Sequence, residues 1–270
     1  MSKGRAIGVI SIKGGVGKTT AVSNLGAVLA NEFKKKVLLI DANYTAPNLG
    51  LHLGVIKPEA SIHDVLKGKI AATDAIYSHD YGFHIIPASM SSENINPFKL
   101  KEKIAKLKEY YDIILIDSSP NLNEEMLSTI LASDEILVMT SPDYPTLSCT
   151  LNAVKVAKAK KTPISGLVIN RVRNKNYELT AEDIEKTAQT PVLGVLPEDT
   201  TVLESLYYTK PAALHNEKAN VVYEYKKLAA ALVGENYKDP RFSQKIKGLF
   251  SKAMPKDAVN REMYKNSLNK

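Results

Sequence analysis

Eight consecutive residues, Lys13-Gly14-Gly15-Val16-Gly17-Lys18-Thr19-Thr20, combine the groups needed to hold a phosphorylated ligand. Closely spaced glycines let a main chain curl until successive N–H groups face one point, which suits an anion. Lys18 adds a full positive charge for β and γ phosphates, and the Thr19 hydroxyl stands where Mg²⁺ would sit. The apolar run Ala6–Ile12 precedes the loop and the helix-compatible run Ala21–Ala30 follows it. Strand, glycine turn and helix are the context in which such a loop works, because the helix N-terminus adds its own partial positive charge.

A metal-dependent phosphate site also needs carboxylates at the ends of neighbouring strands. Asp112-Ile113-Ile114-Leu115-Ile116-Asp117 reads as a buried strand that delivers Asp117 to the metal. Lys36-Val37-Leu38-Leu39-Ile40-Asp41 reads the same way and runs into Ala42-Asn43-Tyr44-Thr45-Ala46-Pro47-Asn48-Leu49. The ordinary Walker A pattern asks for glycine where this chain has Ile12, and the extra lysine, Lys13, stands directly before the double glycine. With that lysine the loop resembles the deviant Walker A loop of the MinD/ParA family of P-loop ATPases, closest to MinD-like proteins.

The resemblance covers about residues 5–234 and carries several expectations. It implies a three-layer, doubly wound α/β fold of the P-loop NTPase type, with Mg²⁺ and ATP as cofactors. Gly14, Gly15, Val16, Gly17, Lys18, Thr19 and Thr20 would cradle the nucleotide, and Thr19, Asp41 and Asp117 would serve the metal. Lys13 would reach across a two-fold interface to the partner's nucleotide, so that ATP completes a homodimer. Asp117-Ser118-Ser119-Pro120 would open switch II, and the segment after Asp41 would be switch I. Asn170, Arg171, Pro197 and Asp199 stand where relatives hold the adenine, although Pro197-Glu198-Asp199 reads equally well as a helix start.

One departure falls inside the site. Relatives carry Asp-x-Asp in switch I, the second acid orienting the attacking water, whereas this chain has Asp41-Ala42-Asn43. An amide hydrogen-bonds water but takes no proton, so hydrolysis is expected to be slow without an activating partner.

The elements that must position these groups are legible as apolar runs of strand length: Ala6–Ile12, Val37–Ile40, Phe83–Ile86, Ile113–Ile116, Glu135–Met139, Ile164–Ile169 and Val192–Leu196. Helical stretches separate them. Ser61 with Asp64, and Thr180-Ala181-Glu182-Asp183, have the form of helix starts. The alternation predicts a mostly parallel sheet with helices on both faces, in one domain over residues 1–236.

Composition bounds the remaining readings. The chain has 270 residues, 44% of them hydrophobic, one cysteine and a net charge of +7. Cys149 by itself forms no intramolecular disulfide and no thiol cluster, and His52, His63, His79, His84 and His215 show no ligand spacing, which speaks against metallocluster chemistry. The N-terminal apolar run is too short for a signal or a bilayer span, so a cytoplasmic protein is expected.

Residues 237–270 hold nine Lys/Arg against three acids, so nearly all the excess charge lies in this tail. There Asp239 and Pro240 suit a helix start, and over about 240–254 Phe242, Ile246, Leu249 and Phe250 fall on one apolar stripe, with Lys245, Lys247 and Lys252 off it. Such a helix rests on an anionic membrane, as the terminal helix of MinD relatives does. Packing on the body or on a partner is another use of the stripe, and an unstructured solubilising tail is the remaining reading. Together these features predict a MinD-like ATP-driven switch, reversibly attached to a membrane or partner, positioning a cellular structure with an activating or cargo protein still to be identified. The alternative is a ParA-like partition ATPase that binds DNA non-specifically. Its basic runs would be Lys99–Lys108 and Lys155–Lys161, but their apolar interleaving marks solvated helix faces, and the body is close to neutral.

Overall fold

The computed structural model describes residues 4–90, 94–241 and 255–268. Unbroken runs of β-branched residues and leucine become strands β1 (Arg5–Ile10), β2 (Val37–Ala42), β4 (His84–Ile86), β5 (Ile113–Ser118), β6 (Glu135–Thr140), β7 (Ile164–Val172) and β8 (Val192–Pro197), with a two-residue β3 (Tyr77–Ser78). They form a single sheet in the order β3-β4-β2-β5-β1-β6-β7-β8. Every pairing is parallel except that of β3 with β4. All the strands expected from the sequence are present. The added β3 is too short to leave a pattern of its own.

The α-helices among the described residues are α1 (Lys18–Asn31), α2 (Leu49–His52), α3 (Ile62–Lys67), α4 (Leu100–Ile104), α5 (Glu124–Ala132), α6 (Tyr144–Ala159), α7 (Ala181–Ala188), α8 (Thr200–Tyr207), α9 (Ala212–His215), α10 (Asn220–Leu232) and α11 (Lys256–Leu268). The strands read as continuous apolar runs because both faces of the sheet are covered. On one face Ile7, Val9 and Leu39 pack with Leu25 and Leu29 of α1 and with Val222 and Leu228 of α10. On the other, Leu38 and Ile40 meet Ile62 and Leu66 of α3 and Ile104 of α4. Further along that face Ile136 and Val138 meet Met126 and Ile130 of α5 and Leu147 and Val154 of α6. This is the predicted three-layer, doubly wound arrangement. The two helix starts hold as well: Ser61 and Asp64 form a capping box on α3, and Thr180 and Asp183 one on α7.

β1 lies between β5 and β6, so the chain leaves it in one direction through β2 and later crosses back to β6 on the far side. A crevice opens at the carboxyl ends of strands where the order reverses, and ligands of such sheets bind there. The loops after β1, β2, β5, β6 and β7 converge on it.

Of the C-terminal region, residues 237–241 and 255–268 are described. Asp239 accepts the Arg241 amide at 3.0 Å, as a helix cap would. Phe242, Ile246, Leu249 and Phe250 lie outside the described residues. The chain after Pro255 folds back as α11 along β8, the last strand of the sheet, and contacts α7 and α10. Asn260 donates to the Val192 carbonyl at 2.9 Å and Arg261 to the Leu193 carbonyl at 2.8 Å, so side chains satisfy main-chain groups that an edge strand otherwise leaves open. Tyr264 reaches further, to Glu135 at the start of β6. These polar residues were invisible to a search for apolar periodicity because they dock through hydrogen bonds. Among the described residues no helix is long and apolar enough to cross a membrane.

Candidate functional site

β1 ends at Ile10 and α1 begins at Lys18, so the glycine loop spans a strand end and a helix start, as its sequence requires. Two of its glycines have left-handed backbone, Gly15 at φ 74° and Gly17 at φ 95°. Gly17 is doubly constrained, since a Cβ there would also collide with the Asn170 amide. That amide donates to the Val16 carbonyl at 2.8 Å, so Asn170, delivered by β7, buttresses the loop from below. Thr20 lies in the first turn of α1 and Val16 is buried.

Lys18 is 7% exposed. Burial lowers its pKa, and only the Asp117 charge opposes that shift. Thr19 donates its hydroxyl to Asp117 at 2.7 Å, which brings two of the three expected metal residues together. The other oxygen of Asp117 is buried and has no hydrogen-bond partner among the described residues. An open carboxylate oxygen next to a threonine hydroxyl fits a Mg²⁺ site, and the curled glycine loop fits the phosphates that would share the ion.

Asp41 stands beside Asp117, since parallel pairing of β2 with β5 puts the two in register. Burial raises the pKa of Asp41 and the neighbouring Asp117 charge raises it further. Burial likewise raises Asp117, against the pull of Thr19 and Lys18. Two adjacent buried carboxylates repel, and a divalent cation relieves that repulsion. Asp41 has a second task. One oxygen accepts the Asn43 amide at 3.1 Å and the other the Asn48 and Leu49 amides at 3.2 and 3.0 Å, so it folds the loop that follows β2.

Within that loop Asn43 is 6% exposed and gives its side-chain amide to the Ala46 carbonyl, which Asn48 also engages at 2.9 Å. In this structure Asn43 is therefore a loop-folding residue. Thr45 donates to Glu125 of α5, a contact that sequence reasoning missed because it joins residues 80 positions apart.

Lys13 is held within its own chain. Its amine lies 2.6 Å from the Thr146 hydroxyl and 3.4 Å from Asp143, the cap of α6. A cavity of about 300 Å³ opens in front of the loop, lined by Lys13, Gly14, Asp143, Arg171 and Tyr177 among others. Arg171 has left-handed backbone, φ 60°, and faces this cavity. Of the other residues expected at the base, Asp199 spends its side chain on the starts of two helices: it accepts the Thr201 amide of α8 at 3.0 Å and the Val221 amide of α10 at 3.4 Å. The helix-start reading of this segment is the one its hydrogen bonds support. Pro197 closes β8 directly before it.

Residues 7–212 match the CobQ/CobB/MinD/ParA nucleotide binding domain. The chain belongs to this family. It is 34% identical over 257 residues to an uncharacterized ATP-binding protein of Methanocaldococcus jannaschii, a match spanning 92% of this chain and 97% of that one. Among solved structures it resembles the cell division ATPase MinD of Pyrococcus furiosus, with 34% identity, a TM-score of 0.80, and coverage of 84% of this chain and 97% of the other. It also resembles the septum site-determining protein MinD of Pyrococcus horikoshii complexed with Mg-ADP, with 33% identity, a TM-score of 0.80, and coverage of 84% and 95%.

Proposed function

We propose that this protein is a MinD-like ATPase that works as a switch, dimerising with ATP and attaching reversibly to the inner face of the cell membrane or to a partner protein. The observation that carries this reading is the Thr19–Asp117 pair, with an open, buried carboxylate oxygen, at the mouth of a glycine loop that also holds Lys18. The loop amides and Lys18 bind the phosphates, and Thr19 and Asp117 hold Mg²⁺. The ion neutralises phosphate charge when bound. Asp41 adds negative charge beside the ion and keeps switch I folded. Asn43 replaces the acid that relatives place near the attacking water, which leaves hydrolysis slow until a partner acts.

Dimerisation gives the cycle its output. Lys13 leaves Thr146 and Asp143 and turns to the nucleotide of the second copy. Two basic amphipathic segments on one dimer then bind an anionic surface through effective concentration, where one binds marginally. Positioning of a cellular structure follows from such a cycle.

Light scattering with ADP, ATP and a Lys18→Ala control tests the first half. A dimer with ATP alone, absent in the variant, is expected, and nucleotide-independent mass would contradict it. Co-sedimentation with phosphatidylglycerol vesicles tests the second half, comparing the full chain with Ile246→Asp/Leu249→Asp. Only the parent is expected in the lipid pellet, and only with ATP; equal recovery of both would remove the membrane role. ATP-dependent, salt-sensitive retention on duplex DNA would favour the partition reading instead.

A further inference from the structure

The first turn of α5 sits between the two loops whose Asp41 and Asp117 would serve the metal. On one side it continues directly from Asp117-Ser118-Ser119, and Ser119 donates to Asn123, the cap of α5, at 2.9 Å. On the other side Glu125 accepts the hydroxyl of Thr45 in the loop that carries Asn43. Glu125 is 9% exposed, and its second oxygen is buried with no hydrogen-bond partner among the described residues.

A half-satisfied buried carboxylate is costly, and packing alone gives no reason to have it there. The helix N-terminus of α5 favours its negative charge, and the charge strengthens the bond from Thr45. Switch I is otherwise folded on itself, through Asn43 and Asn48 on the Ala46 carbonyl and the loop amides on Asp41. His63 of α3 fixes its inner edge at the Tyr44 carbonyl, 3.2 Å away. Thr45–Glu125 fixes the outer edge to the helix that grows out of the metal loop.

We infer that Glu125 is a positioning residue for ATP hydrolysis, setting switch I, and Asn43 with it, against the metal loop through Thr45. This rests on the ATPase reading above. The bracket is needed after Mg·ATP has bound, when the attacking water must be placed, so its loss slows turnover and leaves nucleotide affinity alone.

The test is a double-mutant cycle on single-turnover hydrolysis, with Mg·ATP affinity measured by calorimetry on the same preparations. Thr45 is exposed, so Thr45→Val and Thr45→Ser fold whatever becomes of Glu125→Ala. Thr45→Val and Glu125→Ala are each expected to slow hydrolysis about tenfold, with affinity changed less than about twofold. The double variant is expected to be no slower than either single one, and Thr45→Ser to keep the parental rate. Multiplying effects in the double variant, a loss of affinity in place of rate, or a Thr45→Ser as slow as Thr45→Val would each overturn the assignment. A parent chain that takes up no Mg·ATP would sink the ATPase reading itself, whereas those three results arise with parental uptake intact.

Discussion

Two buried carboxylates on strands that flank β1 have opposite surroundings. Glu135, at the start of β6, is closed on every side: Arg5 donates to one oxygen at 2.8 Å, and Tyr264 and Ser165 donate to the other at 2.6 and 2.7 Å. Arg5 is itself tied to the Leu232 carbonyl, and the cluster sits under α11. Asp117, at the end of β5, has one oxygen on Thr19 and the other without a hydrogen-bond partner among the described residues. Burial disfavours its charged form and raises its pKa, against the pull of Thr19 and Lys18. A satisfied network rigidifies the fold, whereas an open one is a place for something to bind. The sheet thus separates architecture at its amino ends from chemistry at its carboxyl ends.

That contrast can be broken from either side. The largest expected effect on stability is that of Arg5→Ala, which strands the Glu135 charge. Stability should fall by about 3 kcal/mol in chemical denaturation, with Mg·nucleotide affinity unchanged. A loss of affinity would show that the two ends are coupled. Next comes Asn43→Asp, at the chemical end, where steady-state turnover should rise about tenfold, equivalent to about 1.4 kcal/mol of barrier. The change also removes the amide held by Ala46, so a slightly lower melting temperature should accompany the faster rate. Unchanged turnover would remove Asn43 from the hydrolytic step. Smallest is Tyr264→Phe, which takes one hydrogen bond from Glu135 and should cost about 1 kcal/mol, with α11 amides exchanging faster by hydrogen exchange. No change there would mean that α11 docks without its phenol.

The same division explains what could be read in the sequence. The glycine loop, Lys18, Thr19, Asp117 and the strands formed by the apolar runs were legible because their signal is local in spacing and side-chain type. The two capping boxes were legible for the same reason. The bond from Asn170 to Val16, the Thr45–Glu125 bond and the Tyr264–Glu135 bond join residues 80 to 154 positions apart and leave no local trace. α11 escaped because it docks through Asn260, Arg261 and Tyr264, which a search for apolar stripes counts as surface. Asp199 was open between two uses in the sequence, and only its bonds to the α8 and α10 amides show which one its side chain serves.

Isothermal titration of the purified chain with Mg·ATP, alongside Lys18→Ala, tests the central claim most directly. One nucleotide per chain is expected, with affinity at least about a thousandfold weaker in the variant, or roughly 4 kcal/mol. Absence of any binding heat from the parent, or equal affinity in both proteins, would contradict the account.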